Sequence, residues 1–535
     1  MKKLCTLMLA AMLTVVPLVS GLAETTLPIT PEKVKFTALL CTQNDAMPDP
    51  NTMAYLQELE EKTNVDIEWT VVSNTTKTER LATVFASGEL PDLFVNIITD
   101  ADKLTYGEAG ALLPVDEYLQ HMPNFTAILE KNASVKSAIT MPDGHIYSVP
   151  QVNFYSYWPG NGVYIVNESF INQSWLDKLG LAAPTTTDEL FDVLMAFKTQ
   201  DPNGNGEADE IPLSFTYTNY TQSAAALLYG PFGIIGQGDN INVEDGKAFY
   251  AIQDERYVEA VKFMRKLYEN GLIDPEAFTQ DNGRYFAKGQ DANELYGVFL
   301  CWDGATSVGD SRVNGDAASY VPLLPVKGPN GDQLWSNKSA GVNANYAAIS
   351  TQCKQPEVLC KFLDYLFKAD QSVQVLWGQN GVTTEKVADG QWYQYALKDY
   401  SASGFGSSTL YIMQTTPRVL PAYIDDEMAN NILTKNLDTG EIIGKTDVAK
   451  YKLSSLYAPY AIKEYYPTTI MTAQENEIYS AISTPVINAI KEKEISWIMG
   501  QSKIEDEWES FNKELDALGL TTMVEISQAA LDRAK

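Results

Sequence analysis

The stretch ERLATVFASGELPDLFVNI, residues 79–97, predicts a helix, a glycine-containing turn and a strand, in that order. Before it, VKFTALLC (34–41) predicts a buried strand, TMAYLQELEEKTN (52–64) a helix and VDIEWTVV (65–72) a second strand. Strands that alternate with helices are typical of a largely parallel sheet whose faces are covered by helices. The N-terminal region therefore predicts an α/β fold.

The same alternation continues downstream. The helix predicted over 184–200 begins with a capping box made by Thr186 and Glu189, and its apolar residues recur at helical spacing. Further elements are a helix over 254–276, a buried strand over 296–302, a helix over 355–369, an exposed hairpin or loop over 437–447, and a mainly helical last hundred residues in which Trp508, Phe511, Leu515 and Leu518 share one face.

The first 23 residues have the pattern of a secretory signal peptide. Lys2 and Lys3 precede an almost wholly apolar run, and Gly21-Leu22-Ala23 offers a small-residue cleavage site. Cys5 lies inside the apolar run, so no lipobox cysteine follows it. No later stretch is long and apolar enough to span a bilayer. We expect a secreted protein, extracellular or associated with the cell surface, and periplasmic if the cell is Gram-negative.

The charge balance narrows the choice of partners. The chain has 39 lysines and arginines against 69 acidic residues, a net charge of −30. Such a surface repels nucleic acid and anionic lipid, and its plainest interpretation is solubility. We expect no nucleic-acid partner.

Four cysteines lie beyond the apolar run, and they are too few for a disulfide-dense scaffold. They are Cys41, Cys301, Cys353 and Cys360. Buried free thiols are the favoured interpretation. The length of 535 residues predicts more than one domain.

Signatures of catalysis are weak. His121 and His145 are the only histidines and lack the spacing of metal ligands, and GEIIGKT (440–446) is one residue short of a phosphate loop. Carboxylates are so abundant that a glycosidase pair stays open, since such a pair needs two groups about 5–10 Å apart across a sugar. We expect a protein that is not an enzyme.

The aromatic residues are more informative. There are 29 tyrosines, 9 tryptophans and 19 phenylalanines, and several stand beside short polar residues in turn-like contexts. Flat aromatic faces next to amides and carboxylates suit sugar rings, because the rings stack while the polar groups bond hydroxyls. Core packing is the alternative for any single aromatic residue, and it is weakest for Trp158 and Trp302, which lie in Trp-Pro-Gly and Trp-Asp-Gly turns.

The segment DPNGNGEADE (201–210) has the oxygen-donor spacing of an EF-hand loop, with a glycine at the sharp turn. Positions 1, 3, 5, 7 and 9 are occupied by Asp201, Asn203, Asn205, Glu207 and Asp209. Pro212 stands at position 12, so Glu210 is the expected closing ligand. An Asx-rich turn is the alternative. We expect a structural Ca²⁺ ion, because these hard oxygen donors suit it.

Several long blocks together resemble the bacterial extracellular solute-binding proteins of ABC importers, in the maltose-binding-like, lipoprotein-type branch that includes alginate-oligosaccharide binders. The matching blocks are 86–95, 141–151, 174–215, 245–281, 377–382 and 503–533. The resemblance implies a two-lobed periplasmic-binding-protein-like α/β fold of the class II type, with a ligand cleft between the lobes and a helical C-terminal region. It also supports Ca²⁺ at 201–210. The missing lipobox cysteine departs from that branch.

The resemblance implies a receptor that captures an oligosaccharide and delivers it to the transmembrane subunits of an ABC permease. We expect residues 24–150 and 338–372 in lobe 1, residues 151–337 and 373–535 in lobe 2, and a monomer. The predicted stacking surfaces are Trp158, Trp302 and Trp377, followed by Tyr155 and Tyr157; the predicted hydroxyl partners are Asp303, Asn44 and Asp92. A peptide receptor and a secreted polysaccharide-degrading enzyme stay as alternatives.

Overall fold

The structure is a computed structural model of the chain. It describes residues 26–153, 165, 167–219, 222–313, 318–337, 341–397, 403–405, 408–445, 453 and 455–534.

The described strands form two main sheets and two smaller ones. In chain order they are β1 Val34–Cys41, β2 Val65–Val72, β3 Leu93–Val95, β4 Val149–Asn153, β5 Glu168–Asn172, β6 Ile211–Ser214, β7 Ile241–Glu244, β8 Lys247–Tyr250, β9 Tyr296–Cys301, β10 Tyr320–Pro322, β11 Val342–Ile349, β12 Thr384–Ala388, β13 Gln391–Ala396, β14 Ala422–Ile424, β15 Ile432–Asn436 and β16 Ile442–Lys445. The first main sheet has the order β14-β4-β11-β3-β1-β2, and the second has the order β10-β5-β9-β6.

The helices pack on these sheets and form most of the C-terminal region. They are α1 Ala54–Thr63, α2 Lys77–Ser87, α3 Asp100–Asp102, α4 Pro123–Lys131, α5 Ala133–Ile139, α6 Gln173–Leu179, α7 Thr187–Thr199, α8 Ala225–Tyr229, α9 Glu255–Glu269, α10 Asn282–Gly289, α11 Gly304–Val308, α12 Asp310–Val313, α13 Pro356–Tyr365, α14 Ala369–Trp377, α15 Ser408–Ile412, α16 Asp426–Asn430, α17 Ala473–Ile498, α18 Ile504–Leu518 and α19 Leu520–Ala534.

The first sheet is buried on both faces, which is typical of a largely parallel sheet. Successive residues of a strand point to opposite faces. In β1, Ala38 and Leu40 belong to one hydrophobic cluster, whereas Leu39 and Cys41 belong to another. The sheet and its covering helices therefore form the first lobe of a two-lobed α/β protein.

The second lobe has its own hydrophobic core. Strands β5 and β9 contribute Ile171 and Leu300, and the C-terminal helices α17, α18 and α19 contribute Ile490, Leu515 and Met523 to the same cluster. Because these helices share this cluster and pack against α9 and β8, they belong to the second lobe.

The described residues between 373 and 436 lie with the first lobe, which differs from the predicted assignment of 373–535 to lobe 2. Strand β14 pairs in parallel with β4 at the edge of the first sheet. Trp392 and Ile432 belong to the smaller sheet of order β12-β13-β15-β16 and are buried in the core of the first lobe. The sequence does not signal this return, because the pairing depends on residues that are more than 250 positions apart.

Residues 461–472, which we call the strap, pass from the second lobe to the first and back. At its start, Ile462 N donates to the carbonyl of Trp335, a buried residue of the second core. Ile470 near its end is buried in a cluster of the first lobe, and α17 then returns to the second core. Arg533 holds this end of the strap by bonding the Ile470 carbonyl at 3.3 Å and the carboxylate of Glu475 at 2.8 Å.

Most of the predicted elements are confirmed, with shifts at their ends. The strands predicted at 34–41 and 65–72 have those bounds, and residues 437–441 form the loop of the predicted hairpin between β15 and β16. The capping box is half correct, because Thr186 accepts from Glu189 N but the Glu189 carboxylate bonds Thr185 instead. Leu518 is 43 % exposed, so it does not share the buried face of α18.

The cysteines Cys41, Cys301, Cys353 and Cys360 are buried thiols that form no disulfide bond, as predicted. Among the described residues, none of the helices combines the length and apolar character needed to cross a bilayer.

Candidate functional site

The connections between the lobes leave from the carboxyl edges of both sheets. The chain leaves the first sheet at the end of β4 and enters the second at β5, whose first residue, Glu168, pairs with Cys301 at the end of β9. It returns from the end of β10 to the start of β11, where Val342 pairs with Val152 near the end of β4. Ligands of open α/β sheets bind outside these edges, so the space between the two edges is the candidate site.

The first-lobe edge carries amide side chains. Gln43 and Asn44 follow β1, and Asn96 follows β3 with a φ of +53°. The Asn96 amide donates to the Cys41 carbonyl at 2.9 Å, which ties the ends of the two strands together. Asn44 accepts from Ala46 N at 2.9 Å and stands half-buried at this edge; its role as a hydroxyl partner stays a prediction.

The second-lobe edge carries Trp302 and Asp303, directly after β9. Trp302 is half-buried. Asp303 caps α11 by accepting from Ala305 N and Thr306 N, each at 3.2 Å. This capping fixes the connection between β9 and α11. Because the Asp303 carboxylate already accepts these bonds, it has fewer acceptor positions left for a ligand than the sequence suggests.

Two of the predicted ligand residues do not share this edge. Trp377, at the end of α14, is 6 % exposed and packs in the core of the first lobe. Asp92 precedes β3, and its carboxylate accepts from Thr37 N at 2.9 Å, which places it at the amino edge of the sheet. Tyr155, Tyr157 and Trp158 lie outside the described residues.

A buried carboxylate that the sequence does not signal lies in the second lobe. Glu494 of α17 is fully buried and accepts from the hydroxyls of Tyr229 and Tyr257 at 2.6 and 2.7 Å, and from Gly238 N at 2.6 Å. Burial raises the pKa of Glu494, and the hydroxyl bonds oppose that shift. The only sequence signal is a glutamate on the apolar side of a helix.

The loop 201–210 connects α7 to β6 and folds around its own acidic side chains. Asp201 accepts from Gly204 N at 2.9 Å and from Gly206 N at 3.2 Å, while both glycines take positive φ values of +77° and +81°. These are the glycine positions at which the chain must turn sharply. In this conformation the Asn203 amide donates to Asp209 at 2.9 Å, so the amides close the loop.

The donor set of this loop fits a hard cation. One carboxylate oxygen of Glu210, Oε1, is buried without a hydrogen-bond partner. Burial, with the neighbouring charges of Asp201 and Asp209, raises the pKa of Glu210. Within the described part of the chain, no three acidic, histidine or cysteine side chains converge as a metal site. A cation here would therefore depend on amide and carbonyl oxygens as well, as EF-hand loops do.

Comparison with known proteins agrees with this architecture. The family model described as "Bacterial extracellular solute-binding protein" matches residues 47–373. The fructooligosaccharide ABC transporter substrate-binding protein FusA of Streptococcus pneumoniae is 34 % identical over 497 residues, which are 91 % of this chain and 88 % of that protein.

Solved structures of the same streptococcal protein superpose on nearly the whole chain. FusA in complex with kestose matches with a TM-score of 0.78 and 31 % identity, covering 93 % of this chain and 99 % of the other. An EF-hand mutant of FusA in complex with fructo-nystose matches with a TM-score of 0.77 and 30 % identity over the same shares. The chain belongs to the family of bacterial extracellular solute-binding proteins.

Proposed function

We propose that the protein is the extracellular ligand receptor of an ABC importer, and that it captures an oligosaccharide between its two lobes. The observation that carries the proposal is that the carboxyl edges of both sheets meet the connections between the lobes, which creates a cleft that two independent cores can close.

The side chains at these edges favour a neutral sugar. Gln43, Asn44 and Trp302 offer amides and one indole, which suit hydroxyls and the apolar face of a sugar ring. The net charge of −30 disfavours anionic ligands. Because the streptococcal relative is named for fructooligosaccharides, kestose and related fructooligosaccharides are the first candidates.

Closure around the sugar would carry the signal to the transporter. A ligand that contacts both lobes shifts the equilibrium toward the closed form by its differential affinity for that form. The permease subunits would then recognise the closed receptor at the cell surface and accept its sugar. Membership of a binding-protein family speaks against covalent chemistry, and so against the alternative of a secreted polysaccharide-degrading enzyme.

Titration calorimetry with a panel of neutral oligosaccharides, uronic-acid oligosaccharides and short peptides tests the proposal. We expect kestose or a related fructooligosaccharide to bind, and to be recovered intact with no new reducing ends. Binding of peptides alone would refute the sugar assignment, and release of reducing ends would support the enzyme.

We also propose a structural Ca²⁺ ion in the loop 201–210. The Asp201, Asp209 and Glu210 carboxylates, the Asn203 and Asn205 amide oxygens and the Glu207 carbonyl would hold it and make the junction of α7 and β6 rigid. We expect EDTA to lower the melting temperature and elemental analysis to find calcium. An unchanged melting temperature together with no bound metal would refute the site.

A further inference from the structure

Arg418 has a backbone conformation that long side chains rarely adopt. Among the described residues, the non-glycine residues with positive φ are Asn64, Asn96, Asp201, Asp245, Glu294 and Arg418. Asparagine and aspartate tolerate the left-handed region, because their short polar side chains bond the nearby backbone. Arg418, at φ +60°, and Glu294, at φ +54°, have longer side chains that do not stabilise this conformation in that way. A strained residue persists only where its surroundings hold it, and such residues concentrate at ligand sites.

The surroundings of Arg418 come from elements that are far apart in the chain. Gln151 of β4 donates its amide to the Arg418 carbonyl at 3.0 Å. The Arg418 Nε donates to the carbonyl of Leu376 in α14 at 2.9 Å, and Nη1 donates to Thr409 Oγ1 in α15 at 3.2 Å. The guanidinium is therefore aimed by bonds to neutral oxygens and stays half-buried.

The charge of this guanidinium acts on a phenol at the carboxyl edge of the first sheet. That charge opposes the effect of burial, which raises the pKa of the Tyr346 phenol. Tyr346 is 8 % exposed, and its hydroxyl accepts from the Gln43 amide at 3.3 Å. Gln43 is exposed and follows β1, so Tyr346 and Gln43 form a hydrogen-bonded pair at the edge where the candidate cleft begins, and the charge of Arg418 acts on that pair.

We infer that Arg418 is a ligand-binding residue of the first lobe and donates hydrogen bonds to the hydroxyls of a neutral oligosaccharide, with Tyr346 and Gln43 beside it. This inference rests on the proposed function. The planar guanidinium offers a fork of donors that matches adjacent hydroxyl oxygens, while the phenol and the amide donate and accept.

The substitution Arg418→Gly tests the role without adding backbone strain, although it also removes the bonds to Leu376 and Thr409. Glycine adopts a φ of +60° without strain, so the backbone is favoured by the change while the guanidinium is lost. With kestose as the probe in titration calorimetry, we expect the dissociation constant to rise at least about tenfold, the effect of losing roughly one charged hydrogen bond. The melting temperature without sugar reports whether the variant is folded, and Arg418→Asn is the second variant if the glycine variant unfolds.

Glu294→Gly is the matched control. It removes a charged side chain from a residue with a similar left-handed backbone. Glu294 contacts Ser319 and Asn172, and Asn172 ends β5 at the edge of the second sheet opposite the cleft. We expect this variant to bind kestose like the wild type.

The outcomes separate the inference from the proposed function. Wild-type affinity in a folded Arg418→Gly variant, or an equal loss in Glu294→Gly, overturns the inference while the receptor function stands. A wild type that binds no sugar in the panel overturns both. If the wild type prefers uronic-acid oligosaccharides and Arg418→Gly loses them, the neutral-sugar assignment is overturned.

Discussion

At the scale of single residues, Glu494 shows how a charged group is accommodated in a core. Two tyrosine hydroxyls and a backbone N–H bond its carboxylate, and these bonds offset part of the cost of removing it from water. The bonds join α17 to α8 and α9, so this one carboxylate connects the C-terminal region to the core of the second lobe.

We predict that Glu494→Ala lowers the free energy of unfolding by about 3 kcal/mol, because it leaves buried hydroxyls unsatisfied. Urea unfolding at pH 7 measures the change. Glu492→Ala is the control, since Glu492 lies in the same helix but is exposed. Equal losses in both variants would show that the network contributes little.

The same residue makes stability depend on pH. Because its pKa is raised in the folded state, the folded protein holds this proton more tightly than the unfolded chain. Its contribution to the free energy of unfolding therefore falls as pH rises from about 4.3, the ordinary glutamate value, through the raised pKa. We predict that Glu494→Gln flattens this fall. Urea unfolding of both proteins between pH 4 and 8 tests it, and parallel curves would contradict it.

Within the loop 201–210, two glutamates should behave differently. Glu210 offers its buried carboxylate, whereas Glu207 at position 7 would offer its carbonyl, and its side chain is exposed. We predict that Glu210→Gln removes most of the calcium-dependent rise in melting temperature and that Glu207→Gln keeps it. Thermal unfolding with calcium and with EDTA distinguishes them; a loss in both variants alike would show that the Glu207 side chain matters as much.

At the scale of elements, the end of α14 depends on a glycine. Gly378 caps the helix with a φ of +91°, and a Cβ there would lie 1.9 Å from Thr383 Oγ1. This close approach fixes the turn that follows the buried Trp377, and with it the carbonyl of Leu376 that Arg418 bonds.

We predict that Gly378→Ala costs more than about 3 kcal/mol of stability, since overpacking adds to backbone strain. Gly390→Ala is the matched control: its φ is +71°, but a Cβ there meets nothing within 4 Å. The control should lose only about 1 kcal/mol. Chemical unfolding of both variants measures their free energies of unfolding. Equal losses would show that backbone strain alone causes the loss and that the close contact with Thr383 adds nothing.

The predictability of these elements follows from the range of the forces behind them. β1 and β2 could be predicted because their apolar pattern is local, and the loop 201–210 because its turn chemistry is local. Trp377 could not be placed, since its burial depends on how α14 packs against the first sheet. Arg418 gave no sequence signal, because its backbone conformation is imposed by β4, α14 and α15 together.

At the scale of the whole molecule, the partition into lobes follows cores rather than chain order. The family resemblance indicated two lobes, but the return of the described residues between 373 and 436 to the first core depends on the distant pairing of β14 with β4. Each lobe has its own core, so the stability of the receptor depends on how firmly the two are joined.

The strap connects the two cores, and its contribution to stability can be tested by substitution. We predict that Ile470→Ala, which removes apolar surface from the first core, lowers the free energy of unfolding by about 2 kcal/mol or more and separates the unfolding of the lobes. Ile478→Ala is the control, because Ile478 is 41 % exposed a few residues later. Differential scanning calorimetry shows whether one transition becomes two; an unchanged single transition would contradict the prediction.

The contact between the end of α19 and the first lobe offers a way to measure lobe motion. Ser137 Oγ of the first lobe donates to the carbonyl of Ala534 at 3.4 Å, so the last turn of a second-lobe helix touches α5 across the boundary between lobes. A pair of fluorescent dyes attached near positions 134 and 532 would span that boundary. Energy transfer between them would report lobe motion, and would turn the receptor into an optical sensor whose labels avoid the candidate ligand residues Gln43, Asn44 and Trp302.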